Sequence, residues 1–210
     1  IGPVSINEDH FDAAQILKSP SGMPDADADA EAMAYIASCR EKQDSVGGVI
    51  ECRIDGVPAG IGDPVFRKLD AMLADAVMGI GAVKAVEIGD GCIVSGLLGS
   101  EDNDCFCEED GHIAKATNHA GGIMGGISDG SRILLRCHVK PTPSISQTQK
   151  TVTQSGEPVD VNIHGRHDPV VVPRAVVVVE SMCAITLLDA MMANMTARAS
   201  YLTDFYCRKE

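Results

Sequence analysis

Five glycines lie among the thirteen residues from Asn118 to Gly130, a stretch that reads NHAGGIMGGISDG. Glycine adopts positive φ without strain and lets a backbone come close to another group. Successive N–H groups in such a loop can form a concavity that binds an anion. The stretch therefore favours two interpretations: a platform for a phosphate or a cofactor, and a tight connection that binds no ligand.

Charged side chains elsewhere could bind anions and move protons. Arg166, His167 and Asp168 are consecutive in the chain. A guanidinium beside a carboxylate keeps that carboxylate ionised, and it can also contact a phosphate or carboxylate through two hydrogen bonds. The segment predicts either a ligand clamp with a proton-handling group or a salt-bridged turn. Lys140 precedes Pro141 at the end of an alternating apolar segment, where its ammonium could meet a ligand phosphate.

Composition excludes several classes of function. The chain has 210 residues, of which 45% are hydrophobic, and its formal net charge is −13. This charge argues against binding to nucleic acid or to an anionic membrane surface. The most apolar run, residues 170–179, is interrupted by Pro173 and Arg174, so no membrane-spanning segment is predicted. The first residues also lack the pattern of a signal peptide.

The cysteines indicate reduced thiols. Eight of them are scattered along the chain, and several lie in alternating apolar segments, as Cys52 and Cys137 do. This usage suits a cytoplasmic protein. Cys105, Cys107 and His112 lie close together in sequence, but they lack a second ligand pair at the spacing of a zinc site. The sequence therefore predicts a solvated acidic loop there and no metal site.

Hydrophobic periodicity predicts the elements that position these residues. Helices are predicted over 32–40, 64–80 and 175–198, and strands over 49–54, 82–88, 92–98, 133–139 and 159–163. Asp25 or Asp27 suits the N-cap of the first helix, and Asp63 followed by Pro64 suits the start of the second. Residues 145–157, rich in Ser, Thr and Gln, are predicted to be mobile. The order of elements indicates an α+β fold with antiparallel sheets.

Two Gly-x-Gly triplets flank the predicted strand 82–88, at 79–81 and 89–91. The dinucleotide-binding fingerprint has a third glycine and places its glycines between a strand and the helix that follows it. Here the first triplet follows a predicted helix instead. A dinucleotide-binding oxidoreductase is therefore disfavoured.

Five segments together resemble the chorismate synthase family. They read GVPAGIGDPVF (56–66), VEIGDG (86–91), NHAGGIMGGISDG (118–130), KPT (140–142) and GRHDP (165–169). The resemblance covers most of this chain but only a little over half of the family's length. Residues 1–210 are therefore interpreted as the C-terminal portion of a single chorismate synthase-like domain. The family's N-terminal part carries a Gly-Glu-Ser-His-Gly motif, a second essential histidine and an Arg/Ser-rich segment, and this sequence contains none of them.

The resemblance implies a lyase that depends on reduced FMN. Members convert 5-enolpyruvylshikimate 3-phosphate to chorismate by anti-1,4-elimination of phosphate, a step of the shikimate pathway to the aromatic amino acids. It further implies helices sandwiched between antiparallel sheets, a homotetramer and a cytoplasmic location. Whether such an enzyme reduces its own flavin with NADPH stays open. The alternatives are a non-catalytic fragment that retains the fold and the disfavoured dinucleotide-binding oxidoreductase.

The resemblance also implies roles for individual residues. Asp168 matches the family's catalytic aspartate. The positions that match flavin contacts are Gly81, Ala82, Gly125, Lys140, Pro141, Thr142, Pro143, Ser144 and Arg166. Gly81 stands where the family commonly has asparagine, so a contact at this position would come from the backbone. Because 17 Lys and Arg are few for a polyanionic substrate and cofactor, the family's N-terminal part is expected to supply further cations.

Overall fold

The computed structural model describes residues 1–109, 111–165 and 167–207, and for His112 the backbone alone. The helices are α1 (Ala13–Ile16), α2 (Ala26–Glu41), α3 (Leu69–Met78), α4 (Gly99–Asp102), α5 (Val172–Asn194) and α6 (Ala199–Tyr206). The strands are β1 (Gly48–Ile54), β2 (Val83–Ile88), β3 (Phe106–Glu109), β4 (His112–Lys115), β5 (Ile123–Met124), β6 (Ile127–Ser128), β7 (Ile133–Val139), β8 (Gln149–Val152) and β9 (Pro158–Val161). Short 3₁₀ helices occupy Glu8–His10 and Gly91–Gly96.

The strands form one three-stranded sheet, in the order β1-β7-β2, and three two-stranded sheets. The pairs β3–β4, β5–β6 and β8–β9 are antiparallel. β1 and β7 are antiparallel as well, because Gly47 before β1 lies beside Val139 at the end of β7, whereas Asp55 after β1 is paired with Arg132 before β7. The predicted α+β class with antiparallel sheets is confirmed.

The chain forms two compact units, Ile1–Ile50 with His138–Val177 and Glu51–Cys137 with Val178–Glu210. In the first unit, α2 begins after Asp25, whose carboxylate accepts the N–H groups of Asp27 at 3.0 Å and Ala28 at 3.2 Å. One of the two predicted N-caps is therefore confirmed. The same carboxylate accepts the N–H of Asn7 at 3.0 Å. The buried face of α2 consists of Ala28, Ala32, Ile36 and Cys39.

The core of the second unit combines residues of α3, β7 and α5. Its most deeply buried side chains are Leu69, Leu73, Val77, Ile133, Leu135, Cys137, Val179 and Cys183. In β7, burial alternates along the strand, which confirms the predicted strand 133–139. The long predicted helix is present as α5, shifted toward the N-terminus. By length and composition α5 could cross a membrane, with a mean hydropathy of 1.9, but core helices of soluble proteins share these properties.

The predicted start of the helix at Asp63 is wrong. Asp63 and Arg67 form an antiparallel bridge, with both backbone N–H···O bonds at 2.8 Å, and α3 begins only at Leu69. The N–H of Leu69 donates to the carbonyl of Gly126 at 2.8 Å. A distant carbonyl therefore satisfies one N–H at the start of α3, and Lys68 at the N-cap position makes no side-chain capping hydrogen bond.

One further predicted element differs from the structure, and one segment contains a strand that was not predicted. The predicted strand 92–98 is wrong, because residues 91–96 form a 3₁₀ helix and the Glu87 carboxylate accepts the N–H of Cys92 at 3.2 Å. The segment 145–157, expected to be mobile, contains β8, which pairs with β9 from Gln149↔Val161 to Val152↔Pro158. Polar composition did not reveal this hairpin, because β8 and β9 are largely exposed.

Candidate functional site

The first part of the glycine loop (residues 118–130) is held by side chains of the chain itself. The Asp104 carboxylate accepts the N–H groups of His119 at 2.7 Å and Ala120 at 3.0 Å. The side-chain oxygen of Asn118 accepts the N–H of Gly122 at 2.9 Å. The concavity predicted for a ligand anion is therefore filled at this end of the loop by the carboxylate of Asp104.

Asp104 belongs to a buried ion cluster. The ammonium of Lys115 lies 3.4 Å from Asp104 and 2.6 Å from Asp129, and the three side chains are 6%, 4% and 10% exposed. Burial raises the pKa of Asp104, but two backbone N–H bonds, the Thr117 hydroxyl and the Lys115 ammonium outweigh it and lower the pKa to about 2. The cluster ties the glycine loop to the β3–β4 hairpin.

This cluster predicts acid sensitivity. Because the folded-state pKa of Asp104 lies below the ordinary value of 3.8, the carboxylate contributes on the order of 2 kcal/mol of stability above about pH 4, and this contribution is lost toward pH 2. Urea unfolding of the parent and of Asp104→Asn between about pH 2 and pH 6 measures it. We expect a stability gap that is wide at pH 6 and narrows on acidification.

The control for this experiment is Asp160→Asn, since Asp160 is exposed in β9. This variant should match the parent throughout the pH range. A gap between the parent and Asp104→Asn that stays constant from pH 6 to pH 2 would show that Asp104 does not carry the acid sensitivity.

His119 acts within the loop as a hydrogen-bonding residue. Its Nδ1 lies 2.6 Å from the carboxylate of Asp90, and this contact raises the pKa of His119. The N–H of Asp90 donates to the carbonyl of His119 at 2.9 Å. Gly89 has φ +59 and lies against the backbone of His119 and Gly121, where a Cβ would clash. The segment 89–91 is therefore a tight turn packed against the glycine loop.

Gly125 lies at the turn of the β5–β6 hairpin. Ile123 pairs with Ser128 and Met124 pairs with Ile127, so Gly125 and Gly126 connect the two strands. Both glycines have positive φ, +61 and +87. A Cβ on Gly126 would meet the Lys68 side chain, whereas among the described residues no atom lies within 4 Å of the position that a Cβ on Gly125 would take. The backbone of Gly125 is thus free to contact a flat ligand.

Gly81 and Ala82 lie at the other end of α3 from the glycine loop. The N–H of Leu69, the first residue of α3, donates to the Gly126 carbonyl, while Gly81 and Ala82 follow the helix. Ten helical residues span about 15 Å, so the length of α3 separates Gly81 and Ala82 from the end of the helix that contacts the glycine loop. No atom of the part of the chain that the structure describes lies within 4 Å of where a Cβ on Gly81 would stand, and Ala82 has φ +73. A non-glycine residue with such a φ is strained, and strain of this kind is found at functional sites.

The first unit brings two candidate segments together on Ser45 and Val46. The Ser45 hydroxyl donates to the carbonyl of Thr142 at 2.6 Å. The N–H of Val46 donates to the carbonyl of Pro169 at 2.8 Å, and Val46 forms a parallel bridge with Val170. The segment that follows β7 and the loop that carries Asp168 are therefore anchored to neighbouring residues. Sequence reasoning missed Ser45 and Val46, because an ordinary serine and valine carry no motif.

Asp168 forms an ion pair with Arg174 in the first turn of α5. Its side chain is 41% exposed and that of Arg174 is 74% exposed. The ring of His167 contacts the carbonyl of Ile163 at 3.1 Å. Arg166, predicted to contact the cofactor, lies outside the described residues. Sequence reasoning missed the ion pair between Arg174 and Asp168. A signal was present, because a cation at a helix N-terminus opposes the helix dipole and is therefore expected to have an anionic partner.

The candidate residues fall into two groups. Gly81, Ala82 and Gly125 lie in the second unit, and Asp168 lies in the first. The first unit also contains Lys140, Pro141, Thr142, Pro143 and Ser144. Lys140, Pro141 and Pro143 are exposed, and Thr142 and Ser144 are partly buried. Each unit therefore presents open backbone or polar side chains suited to ligand contact.

Comparison with known proteins shows the family of this chain. A family model described as chorismate synthase matches residues 3–192. The chain belongs to the chorismate synthase family. The five motifs singled out in the sequence all fall within the matched residues.

Curated chorismate synthases are similar over nearly the whole chain. That of Agathobacter rectalis (strain ATCC 33656) is 54% identical over 206 residues, which is 98% of this chain and 56% of the relative. That of Archaeoglobus fulgidus is 52% identical over 186 residues, 88% of this chain and 51% of the relative. A crystal structure of a chorismate synthase aligns with a TM-score of 0.71 at 32% identity and covers 87% of this chain and 48% of that one. The chain spans about half the length of the chorismate synthases it matches.

Proposed function

We propose that this chain is the C-terminal portion of a chorismate synthase that eliminates phosphate from 5-enolpyruvylshikimate 3-phosphate to give chorismate. The observation that carries the proposal is the family match over residues 3–192. By the same relation we propose a single domain, a homotetramer and a cytoplasmic location. Each unit has residues whose backbone or side-chain groups suit this reaction, and these residues support the proposal.

The open backbone in the second unit fits a flat, anionic cofactor such as reduced FMN. The described residues leave the space beside Gly125 and Gly81 open where a side chain would stand, and Ala82 holds a positive φ. Residues of this kind permit close approach of a backbone to a planar ring. When bound, reduced FMN lends electron density to the substrate without a net redox change. We therefore assign Gly81, Ala82 and Gly125 to cofactor binding.

The first unit carries polar and charged groups that suit an anionic ligand. Lys140 offers an exposed ammonium that can bind a phosphate or carboxylate, and the hydroxyl groups of Thr142 and Ser144 can donate to the same anion. Asp168 is accessible to solvent and can accept or return a proton during the elimination. Arg174 pairs with this carboxylate and orients it.

The ion pairs of the chain explain why further cations are needed. At least seven of the Lys and Arg side chains pair with carboxylates: Arg53, Arg67, Lys68, Lys115, Arg132, Arg136 and Arg174. At most ten of the 17 Lys and Arg side chains remain for a polyanionic substrate and cofactor, in a chain whose net charge is −13. This supports a site completed by cations from outside these 210 residues.

The order of elements argues against the alternative of a dinucleotide-binding oxidoreductase. The triplet 79–81 lies between the end of α3 and the start of β2. In a dinucleotide-binding unit the glycines follow a strand and open a helix, so that the pyrophosphate meets the helix N-terminus. A titration with FMN and with NAD separates the two functions, since we expect binding of FMN alone.

Gly125→Val tests the cofactor assignment in the native protein that carries this chain. We expect FMN binding to weaken by about tenfold or more, because the branched side chain would fill the open space beside the backbone. Positive φ alone also makes this substitution strained. Gly156→Val is the matched control, since Gly156 has φ +85 and is likewise open within 4 Å.

Both valine variants should lose similar stability, on the order of 1 kcal/mol, because both place a branched residue at positive φ. FMN affinity is measured by titration, and stability by thermal unfolding of the same samples. If Gly125→Val binds FMN as tightly as Gly156→Val does, the glycine loop is not part of the cofactor site.

A further inference from the structure

Ser128 joins the glycine loop to the 56–68 loop. Its hydroxyl donates to the carbonyl of Pro58 at 2.6 Å and accepts the N–H of Ile61 at 2.9 Å. Its backbone N–H donates to the carbonyl of Ile61, and its carbonyl accepts the N–H of Gly60, both at 2.8 Å. Ser128 is only 3% exposed. One buried residue therefore provides four hydrogen bonds between two family motifs.

These bonds lie three residues from Gly125. Ser128 pairs directly with Ile123, and Ile123 is also buried, so the base of the hairpin is fixed on both strands. The Gly126 carbonyl is held in turn by the N–H of Leu69. Because a two-residue turn takes its position from the strands it connects, the position of Gly125 depends on how Ser128 is held.

Neither a hydrogen atom nor a methyl group can replace the hydrogen bonds that the Ser128 hydroxyl makes. The hydroxyl donates and accepts at once, whereas alanine would leave the Pro58 carbonyl and the Ile61 N–H without their side-chain partner. Buried polar groups that lose a partner shift toward another one or toward water. Such a shift would move the 56–68 loop and the hairpin relative to each other.

We propose that Ser128 is a positioning residue that holds the backbone of Gly125 in place for the flavin cofactor. The inference rests on the proposed function, because Gly125 is a cofactor contact only in a chorismate synthase. The inference also gives a role to the 56–66 motif, which the proposed chemistry does not use. The backbone groups of the 56–66 segment at Pro58, Gly60 and Ile61 form the surface that holds the hairpin.

The test compares three variants of the native protein that carries this chain: Ser128→Ala, Ser128→Thr and Ser21→Ala. Ser21 is the matched control, since it is also 3% exposed and its hydroxyl donates to Asp29. FMN is titrated and followed by the change in flavin absorption on binding. We expect Ser128→Ala to weaken binding by about tenfold, Ser128→Thr to restore it to within about threefold of the parent, and Ser21→Ala to leave it unchanged.

The outcomes separate this inference from the proposed function. Absence of FMN binding in the parent would overturn the proposed function, and the inference with it. Binding in the parent with equal affinities for Ser128→Ala and Ser21→Ala would overturn the inference alone. If Ser128→Ala does not fold, Ser128→Cys takes its place, because a thiol keeps the branching of the side chain, is only slightly larger than the hydroxyl and makes weaker hydrogen bonds.

Discussion

Asp168→Asn is expected to lower turnover by roughly 10²–10⁴-fold, the usual contribution of a general acid or base. Asparagine preserves the shape of the side chain and one of its acceptors, but it cannot take up or release a proton. FMN binding should change little, because the candidate contacts at Gly125 and Lys140 are untouched. The measurement is a single-turnover assay under anaerobic conditions with reduced FMN, in the native protein that carries this chain.

Arg174→Gln separates chemistry from structure at this position. It removes the ion pair with Asp168 but leaves the carboxylate in place. An exposed ion pair contributes little to stability, and the Arg174 side chain is 74% exposed. Because the Asp168 carboxylate stays in place, we expect less than about a tenfold loss of turnover. Equal losses in Asp168→Asn and Arg174→Gln would assign Asp168 to a salt-bridged turn.

The second large effect concerns residues 1–210 expressed by themselves. We expect no chorismate from this chain, even with reduced FMN and substrate supplied, because it spans only 56% of the Agathobacter rectalis relative and carries a net charge of −13. We also expect self-association. α5 exposes large apolar side chains between its buried ones: Val177, Val178, Ile185, Leu188, Met191 and Met192. Exposed apolar surface of this extent drives association.

An anaerobic activity assay combined with light scattering measures both expectations. Leu188→Glu should reduce association, since Leu188 is 59% exposed and a charge can be solvated there. Leu187→Glu is the contrasting variant, because Leu187 is 6% exposed and a buried carboxylate should unfold the chain. Turnover from a monodisperse parent chain would contradict the prediction and would place all essential groups within these residues.

Elements with strong local signals were predictable. β7 alternates apolar and polar residues over its whole length, and α2 carries Asp25, whose carboxylate caps the helix as its residue type indicates. The start of α3 was not predictable. Asp63 and Pro64 form a good local start signal, but the bridge from Asp63 to Arg67 and the bond from Leu69 to Gly126 prevail. Tertiary hydrogen bonds outweigh a capping preference of about 1 kcal/mol.

In the candidate site, too, some features could be predicted from the sequence and others could not. Glycine density identified the loop at 118–130, because positive φ at Gly121, Gly122, Gly125, Gly126 and Gly130 requires that residue type. It could not show that Asp104 fills one end of the loop, since that carboxylate lies 15 residues away from His119 along the chain. Nor could it separate Gly125, which is open, from Gly126, which packs against Lys68.

By itself, the sequence determined the α+β class and the family, because hydrophobic periodicity and the order of the motifs can be read directly from the chain. Only the tertiary structure decided which polar groups are already partnered. It pairs Asp168 with Arg174, anchors Thr142 and Pro169 on Ser45 and Val46, and seats Ser128 on the 56–68 loop. These partners are between six residues (Asp168 and Arg174) and 123 residues (Val46 and Pro169) apart. Hydrogen bonds and ion pairs act over a few ångströms, so spacing along the sequence carries no record of them.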